Sequence, residues 1–378
     1  MKKKYVIGFD AKRAFRNASG LGNYSRNTLN ALKRYFPGNE YFLFTPSPES
    51  VHFDAGPPFR IVPPPNLFYR LFKPLWRSFF LAGYLKKSDL DLFHGLSNEL
   101  PRGIHKTAIP SVVTIHDLIF MRYPEFYKPI DRNIYFRKIK YSCTAADKII
   151  AISQQTRSDV ETFFQVPPEK IEVIYQPVSA VFFESQDSPA IASRFDIPSG
   201  YILSVGTLEP RKNQLALLKA LHEAKIDCPV VFVGKSTAYI STMKKYIQDK
   251  GMQNHVIFLT GLSEEELAFL YRHALLSVYI SVFEGFGLPV IEAMASGCPV
   301  ITSSVSCLPE TAGEAAVLCD PGNINDIGEK INGLLNDDEH RKQLLKKGLA
   351  RAEFFHPEKY AKNLISLYTK IFMENDAG

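Results

Sequence analysis

Residues 281–300, SVFEGFGLPVIEAMASGCPV, place two glutamates, three glycines and two prolines in a stretch that otherwise reads as core. A buried carboxylate is costly unless something pairs with it. Glu284 and Glu292 are therefore either solvated loop and helix residues, or they face a pocket that needs oxygen acceptors. The preceding LLSVYIS (275–281) reads as a strand, VFEGFG as the loop at its carboxyl end, and LPVIEAMAS as a helix. Pro289 suits the first turn of that helix and Gly297 its C-terminal stop. Gly285 and Gly287 let the backbone approach a ligand closely, and the N–H groups of the helix start point where an anion would sit. Glu284 precedes the helix and Glu292 lies one turn inside it, so both can face one crevice. Carboxylates there suit hydroxyl donors such as a sugar and a ribose, whereas phosphate would use the N–H groups.

The same strand–loop–helix grammar runs outward in both directions. In the first half YVIGFD, YFLFTP, DLFHGL, SVVTIHDL, KIIAIS and IEVIYQP are candidate buried parallel strands. In the second half YILSVG, PVVFVG, VIFLTG, LLSVYIS, PVITSS and AAVLCD repeat the pattern. Helical patterns such as NYSRNTLNALKRYF, NQLALLKALHEAK and SEEELAFLYRHA lie between them. Such alternation gives α/β domains with parallel sheets covered by helices. Two sets predict two Rossmann-like domains with a cleft between them, 1–176 and 177–356. The segment 357–378 is then a C-terminal helix free to pack back on the first domain. The Pro- and Ser-rich stretch 176–200 is the expected linker.

A chain of 378 residues is too long for one ordinary core and suits two domains. Its 46% hydrophobic and 22% charged content is that of a globular protein. The net charge of +6 favours anionic ligands or an anionic membrane surface but is far from a nucleic-acid-binding extreme. Five scattered cysteines without a CxxC pair point to reduced thiols and a cytoplasmic location, with no zinc site. The start MKKKYVIGFD reads as a first strand, not a leader, and no run of about 18 uncharged apolar residues predicts a membrane span.

EGFGLPVIEAMASGCPVI resembles the E-x7-E signature of retaining family-4 glycosyltransferases of the GT-B fold. Three further stretches agree in order. GTLEPRKN (206–213) resembles the family's basic diphosphate loop, SGLGNYSRNTLNAL (19–32) its N-terminal glycine loop and helix, and VVTIHDL (112–118) its strand-end His-Asp motif. The resemblance spans essentially the whole chain. It implies that Glu292 holds the donor's ribose and Glu284 the transferred sugar, with Gly285, Phe286, Gly287 and Leu288 lining the donor. It further implies that His116 sits by the anomeric carbon and that Gly20 and Gly22 lie near the diphosphate and acceptor. Some relatives carry an additional Arg where this chain has Thr207 and Leu208, which leaves Lys212 and Arg211 as the two cations. Departure of a nucleoside diphosphate builds negative charge on the β-phosphate, so fixed cations there stabilise the transition state more than the ground state.

Other features are set aside. The DxD spelling at Asp89 and Asp91 lies at a strand entrance, away from the carboxyl end where ligands gather. The nine histidines show no HExxH spacing, and no metal cofactor is called for. GLGNY lacks the full GxGxxG of a dinucleotide site, which disfavours a dehydrogenase. Residues 66–87, NLFYRLFKPLWRSFFLAGYLKK, mix aromatics with five cations. Phe68, Phe72, Leu75 and Phe79 fall on one helical face, either as core under a solvated face or as a peripheral contact with an anionic membrane.

The expectation is a retaining hexosyltransferase with a nucleotide-sugar donor as substrate. GDP-mannose is the lead donor, because the GTLEPRKN form resembles bacterial mannosyltransferases. UDP-hexoses and UDP-N-acetylhexosamine stay open, as does a non-catalytic module binding a nucleotide or glycan. The expected acceptor is a glycan or lipid-linked glycan of polysaccharide or lipopolysaccharide synthesis.

Overall fold

Apolar runs bounded by Gly, Pro and polar residues become short buried strands. The computed structural model describes residues 4–17, 20–49, 53–72, 75–184, 194–195 and 197–376. The strands are β1 (Val6–Asp10), β2 (Glu40–Phe44), β3 (Phe59–Val62), β4 (Leu92–Gly95), β5 (Ser111–Ile115), β6 (Lys148–Ala151) and β7 (Ile171–Val173). A second set comprises β8 (Ile202–Val205), β9 (Val230–Val233), β10 (Val256–Leu259), β11 (Leu276–Tyr279), β12 (Val300–Ser303) and β13 (Val317–Cys319). The first set forms a sheet ordered β3-β2-β1-β4-β5-β6-β7 and the second a sheet ordered β10-β9-β8-β11-β12-β13. Neighbours pair in parallel throughout. Both sheets have the doubly wound Rossmann order, the first with one added edge strand.

The chain divides into two compact units, one of Met1–Pro177 with Pro357–Gly378 and the other Val178–His356. Within the predicted linker 176–200, residues 185–193 and 196 lie outside the described residues. Successive residues of the first sheet point to opposite faces, as the pleat requires. Leu92, Val112 and Ile150 join one core and Phe93, Val113 and Ile149 the other.

The helix Pro357–Asp376 packs on the helix Gly20–Tyr35 within the first unit. Its apolar face supplies Leu364, Leu367 and Ile371. Its polar anchors enter a buried network. Tyr360 Oη lies 2.9 Å from both Thr28 Oγ1 and Tyr24 Oη, and Tyr368 Oη lies 2.6 Å from His94 Nδ1. His94 Nε2 continues to Thr114 Oγ1 at 2.8 Å.

Two local readings need correction. β3 is absent from the sequence reading, because FRIV is only four residues and prolines flank it; it is an edge strand, where neighbouring prolines are tolerated. A one-turn helix, Lys12–Arg16, also intervenes between β1 and the glycine stretch, so GLGNY does not follow the strand directly, although it does open the following helix.

Candidate active site

Open α/β sheets gather ligands where the strand order reverses, beyond the carboxyl ends of the strands. In the second sheet that point lies between β8 and β11, which are direct neighbours. The loop after β8 carries Arg211 and Lys212, and the loop after β11 carries Glu284. Adjacent strands thus bring together side chains 72 residues apart in sequence. Lys212 Nζ donates to Glu284 Oε1 at 2.6 Å, and Arg211 Nη1 lies 2.8 Å from the same oxygen. The loops are also joined through the backbone: the Val282 N–H donates to the Arg211 carbonyl at 2.9 Å, and Arg211 Nη1 donates to the Phe283 carbonyl at 2.7 Å.

Burial pushes the Glu284 carboxyl up, but Lys212 and then Arg211 more than offset it, holding the group at about 2. Burial pulls the Lys212 ammonium below the usual lysine value; Glu284 opposes this and Arg211 adds to it. Arg211 also pairs with Glu209 at 2.6 Å. Two cations thus face two carboxylates, with Glu284 buried and Glu209 at the rim. This balance holds the guanidinium and ammonium groups in position, so a diphosphate would meet pre-oriented donors.

Glu292 does not join this cluster. It sits half-buried on the helix Leu288–Ala295, and among the described residues its polar contact is Tyr271, whose hydroxyl donates at 3.4 Å. Burial, with Glu264 adding its charge, raises this carboxyl to about 8 against the smaller opposing pull of Tyr271. Gly287 begins the helix at φ +97°, and a Cβ there would lie 2.5 Å from Leu308 Cδ2, so glycine is required. The helix start offers less to an anion than the sequence suggested. Pro289 has no N–H, and Val290 N donates to the Gly287 carbonyl at 3.0 Å. Gly285 and Phe286 are buried in the loop, and Leu288 is half-buried.

The remaining predicted residues belong to the first unit. His116 follows β5, buried, with its backbone N–H donating to Asn98 Oδ1 at 2.8 Å. Its Nε2 lies 2.8 Å from the Leu96 carbonyl, which only accepts, so Nε2 carries the proton and Nδ1 has the lone pair. Burial lowers the ring to about 4, the Leu96 bond opposing and Arg13 assisting. A Cβ on Gly22 would lie 1.8 Å from the Asn17 carbonyl oxygen, so close backbone approach fixes that glycine. A Cβ on Gly20 would meet nothing within 4 Å, so packing places no such demand there.

Residues 18–181 match the family model described as Glycosyltransferase Family 4, and residues 192–351 match that described as Glycosyl transferases group 1. The O-antigen chain mannosyltransferase B of Escherichia coli is 31% identical over 79% of this chain and 78% of its own length. This chain is a family-4 glycosyltransferase of the GT-B fold. The serotype-specific mannosyltransferase WbdA of Escherichia coli is 28% identical over 76% of the transferase but only 37% of that longer protein. Sucrose-phosphate synthase from Thermosynechococcus elongatus shares the fold, with a TM-score of 0.77 at 23% identity over 98% of the transferase and 100% of that chain.

Sequence reasoning overlooked the residues that support the transferase's cations and Glu284. Tyr279 Oη accepts from Lys212 Nζ at 2.6 Å. Ser306 Oγ accepts from the Glu284 N–H at 3.1 Å and donates to the Glu284 carbonyl at 2.7 Å. Tyr279 was visible as the inward end of β11 and Glu209 as the acid beside two bases. Ser306 gave no signal, because its place follows from the β11–β12 pairing.

Proposed function

We propose that the transferase moves mannose from GDP-mannose, with retention of anomeric configuration, onto a lipid-linked glycan of a bacterial surface polysaccharide, working in the cytoplasm. The observation that carries this reading is the Lys212–Glu284–Arg211 cluster at the β8–β11 switch point. The two relatives named as mannosyltransferases support the choice of sugar. Five buried free thiols support a reducing compartment.

In this reading the donor's β-phosphate engages Arg211 and Lys212 as the C1–O bond breaks. Glu284 takes a hydroxyl of the moving sugar, and Glu292 takes the ribose. The acceptor oxygen bonds to C1 on the face that the diphosphate leaves, and its proton passes to a diphosphate oxygen. The two cations supply the charge stabilisation without a metal. His116, neutral and with Nδ1 carrying a lone pair, accepts a hydrogen bond from the sugar.

The test is incubation of purified protein with GDP-mannose, UDP-glucose, UDP-galactose and UDP-N-acetylglucosamine. Release of GDP, with an α-linked mannosyl product by NMR, supports the proposal. Turnover of a UDP-sugar alone, or a β-linked product, overturns it in donor or in stereochemistry respectively.

A further inference from the structure

The segment between β3 and β4 turns its aromatic side chains outward. Phe68, Leu71, Phe72, Leu75, Phe79 and Phe80 are all exposed, Leu71 by 71% and Phe68 by 54%. The same segment sends Trp76, Leu81 and Leu85 into the core beneath the sheet. The segment therefore carries two apolar stripes, one buried and one exposed. Core packing accounts for the inner stripe and leaves the outer one unexplained. The Phe68 and Phe72 rings lie 4.9 Å apart, tilted 45° to each other, on that outer surface.

Electrostatics identify the occupant. Residues 66–87 contain five Lys or Arg and no Asp or Glu, and of these Arg77 is buried in ion pairs and does not reach the outer face. Lys86 and Lys87 are exposed where the segment ends, and the Arg102 guanidinium lies 5.1 Å from the exposed Phe79 ring. Outward-facing Phe and Leu beside exposed cations suit a bilayer with anionic headgroups, which takes apolar side chains at the acyl boundary and cations at the phosphates. We propose that this face docks the transferase on an anionic membrane surface.

The face is rigidly tied to the carboxyl edge of the first sheet. Arg77, buried in the middle of the segment, pairs with Asp10 at the end of β1 at 2.6 Å and with Glu99 beyond β4 at 2.9 Å. Ser78 accepts from the Arg102 N–H at 2.8 Å. The helix Pro129–Ala145 packs on the same core through Ile139 and Cys143, and it exposes Ile130 and Ile134 in its first turns. That helix follows β5, so its apolar turns also lie toward the carboxyl edge. A membrane held here presents lipid-borne molecules to the strand ends of this unit.

The experiment is co-sedimentation with vesicles in the absence of donor, so its outcome is independent of the donor and sugar assigned above. Vesicles of phosphatidylcholine containing about one-third phosphatidylglycerol should bind the protein, and added salt should weaken binding. Phe72→Ser and Phe79→Ser should each weaken it about tenfold. Lys86→Glu with Lys87→Glu should weaken binding to anionic vesicles about tenfold and leave neutral vesicles unaffected. An unchanged melting temperature and unchanged nucleoside diphosphate affinity, read from the other unit, show that these variants fold. Wild-type protein remaining in the supernatant overturns the proposal. So does retention of full vesicle binding by both phenylalanine variants while sedimentation velocity shows them dissociating a wild-type dimer.

Discussion

Lys212 Nζ lies 2.6 Å from Glu284 Oε1, so the carboxylate read as a sugar ligand is the counter-ion of the cation read as a phosphate ligand. The two roles are linked. A diphosphate engaged by Lys212 and Arg211 would share these donors with Glu284.

Lys212→Ala should lower kcat by about 10²–10³, the usual cost of losing one positioned donor to developing negative charge. Glu284 would keep Arg211 as its partner, so the fold should survive with a lower melting temperature. Steady-state kinetics and a thermal scan measure both. Wild-type turnover would show that the ammonium serves only Glu284.

Glu284→Gln removes the charge that neutralises both cations. Affinity for free nucleoside diphosphate should stay level or rise, while turnover falls because the moving sugar loses a charge-assisted hydrogen bond of roughly 1.5–3 kcal/mol. Calorimetric titration with the nucleoside diphosphate, alongside kcat, reads the contrast. Weaker nucleotide binding with unchanged turnover would reverse the assignment.

Glu292 is held at about 8, above the unfolded carboxyl value. A raised folded pKa means the folded state holds the extra proton, so this group favours folding at low pH and loses that contribution as pH rises from about 4.5 to 8. If the ionised form receives the ribose hydroxyls, donor affinity follows the ionised fraction and should improve about five- to tenfold from pH 7 to 9. Glu292→Gln should bind donor weakly and show no such rise. An identical pH profile in the two proteins would remove the ribose role.

His94 and His116 are buried and held neutral, at about 3 and about 4. Burial is the leading cause in both. Depressed folded values mean the unfolded chain takes up more protons below about 6.5, so stability falls with acid from there toward pH 4. The pair should cost about 3 kcal/mol between pH 6.5 and 5. Urea unfolding at the two pH values tests this, and His94→Gln should remove about half the slope. A flat profile would mean the rings ionise within the fold.

Tyr368→Phe should destabilise the protein by about 1–3 kcal/mol, since it leaves a buried nitrogen of His94 without its partner. Nucleoside diphosphate affinity should not change, because the donor cluster belongs to the other unit. Chemical unfolding and a binding titration check this, and an unaltered unfolding midpoint would show the network to be dispensable.

The sequence by itself determined the two-sheet architecture, because each strand is a short apolar run bounded by turn residues and each helix carries its own periodicity. It also determined which loop residues lie at strand carboxyl ends: Arg211, Lys212, Glu284 and His116. Local pattern suffices there, since strand direction and parallel pairing follow from alternation with helices. Tertiary structure alone decided which of these meet. Glu284 joins Lys212 and Arg211 because β8 and β11 are neighbours in the sheet, whereas Glu292, eight residues on in sequence, turns to Tyr271. It alone decided that the outer aromatics of 66–87 face solvent, because a helical periodicity reports that a face is apolar and not what covers it. It also placed the last helix on the first unit, through hydroxyls of Tyr360 and Tyr368 whose partners lie more than 270 residues away. Contacts at such separation depend on the packed fold, and no local rule encodes them.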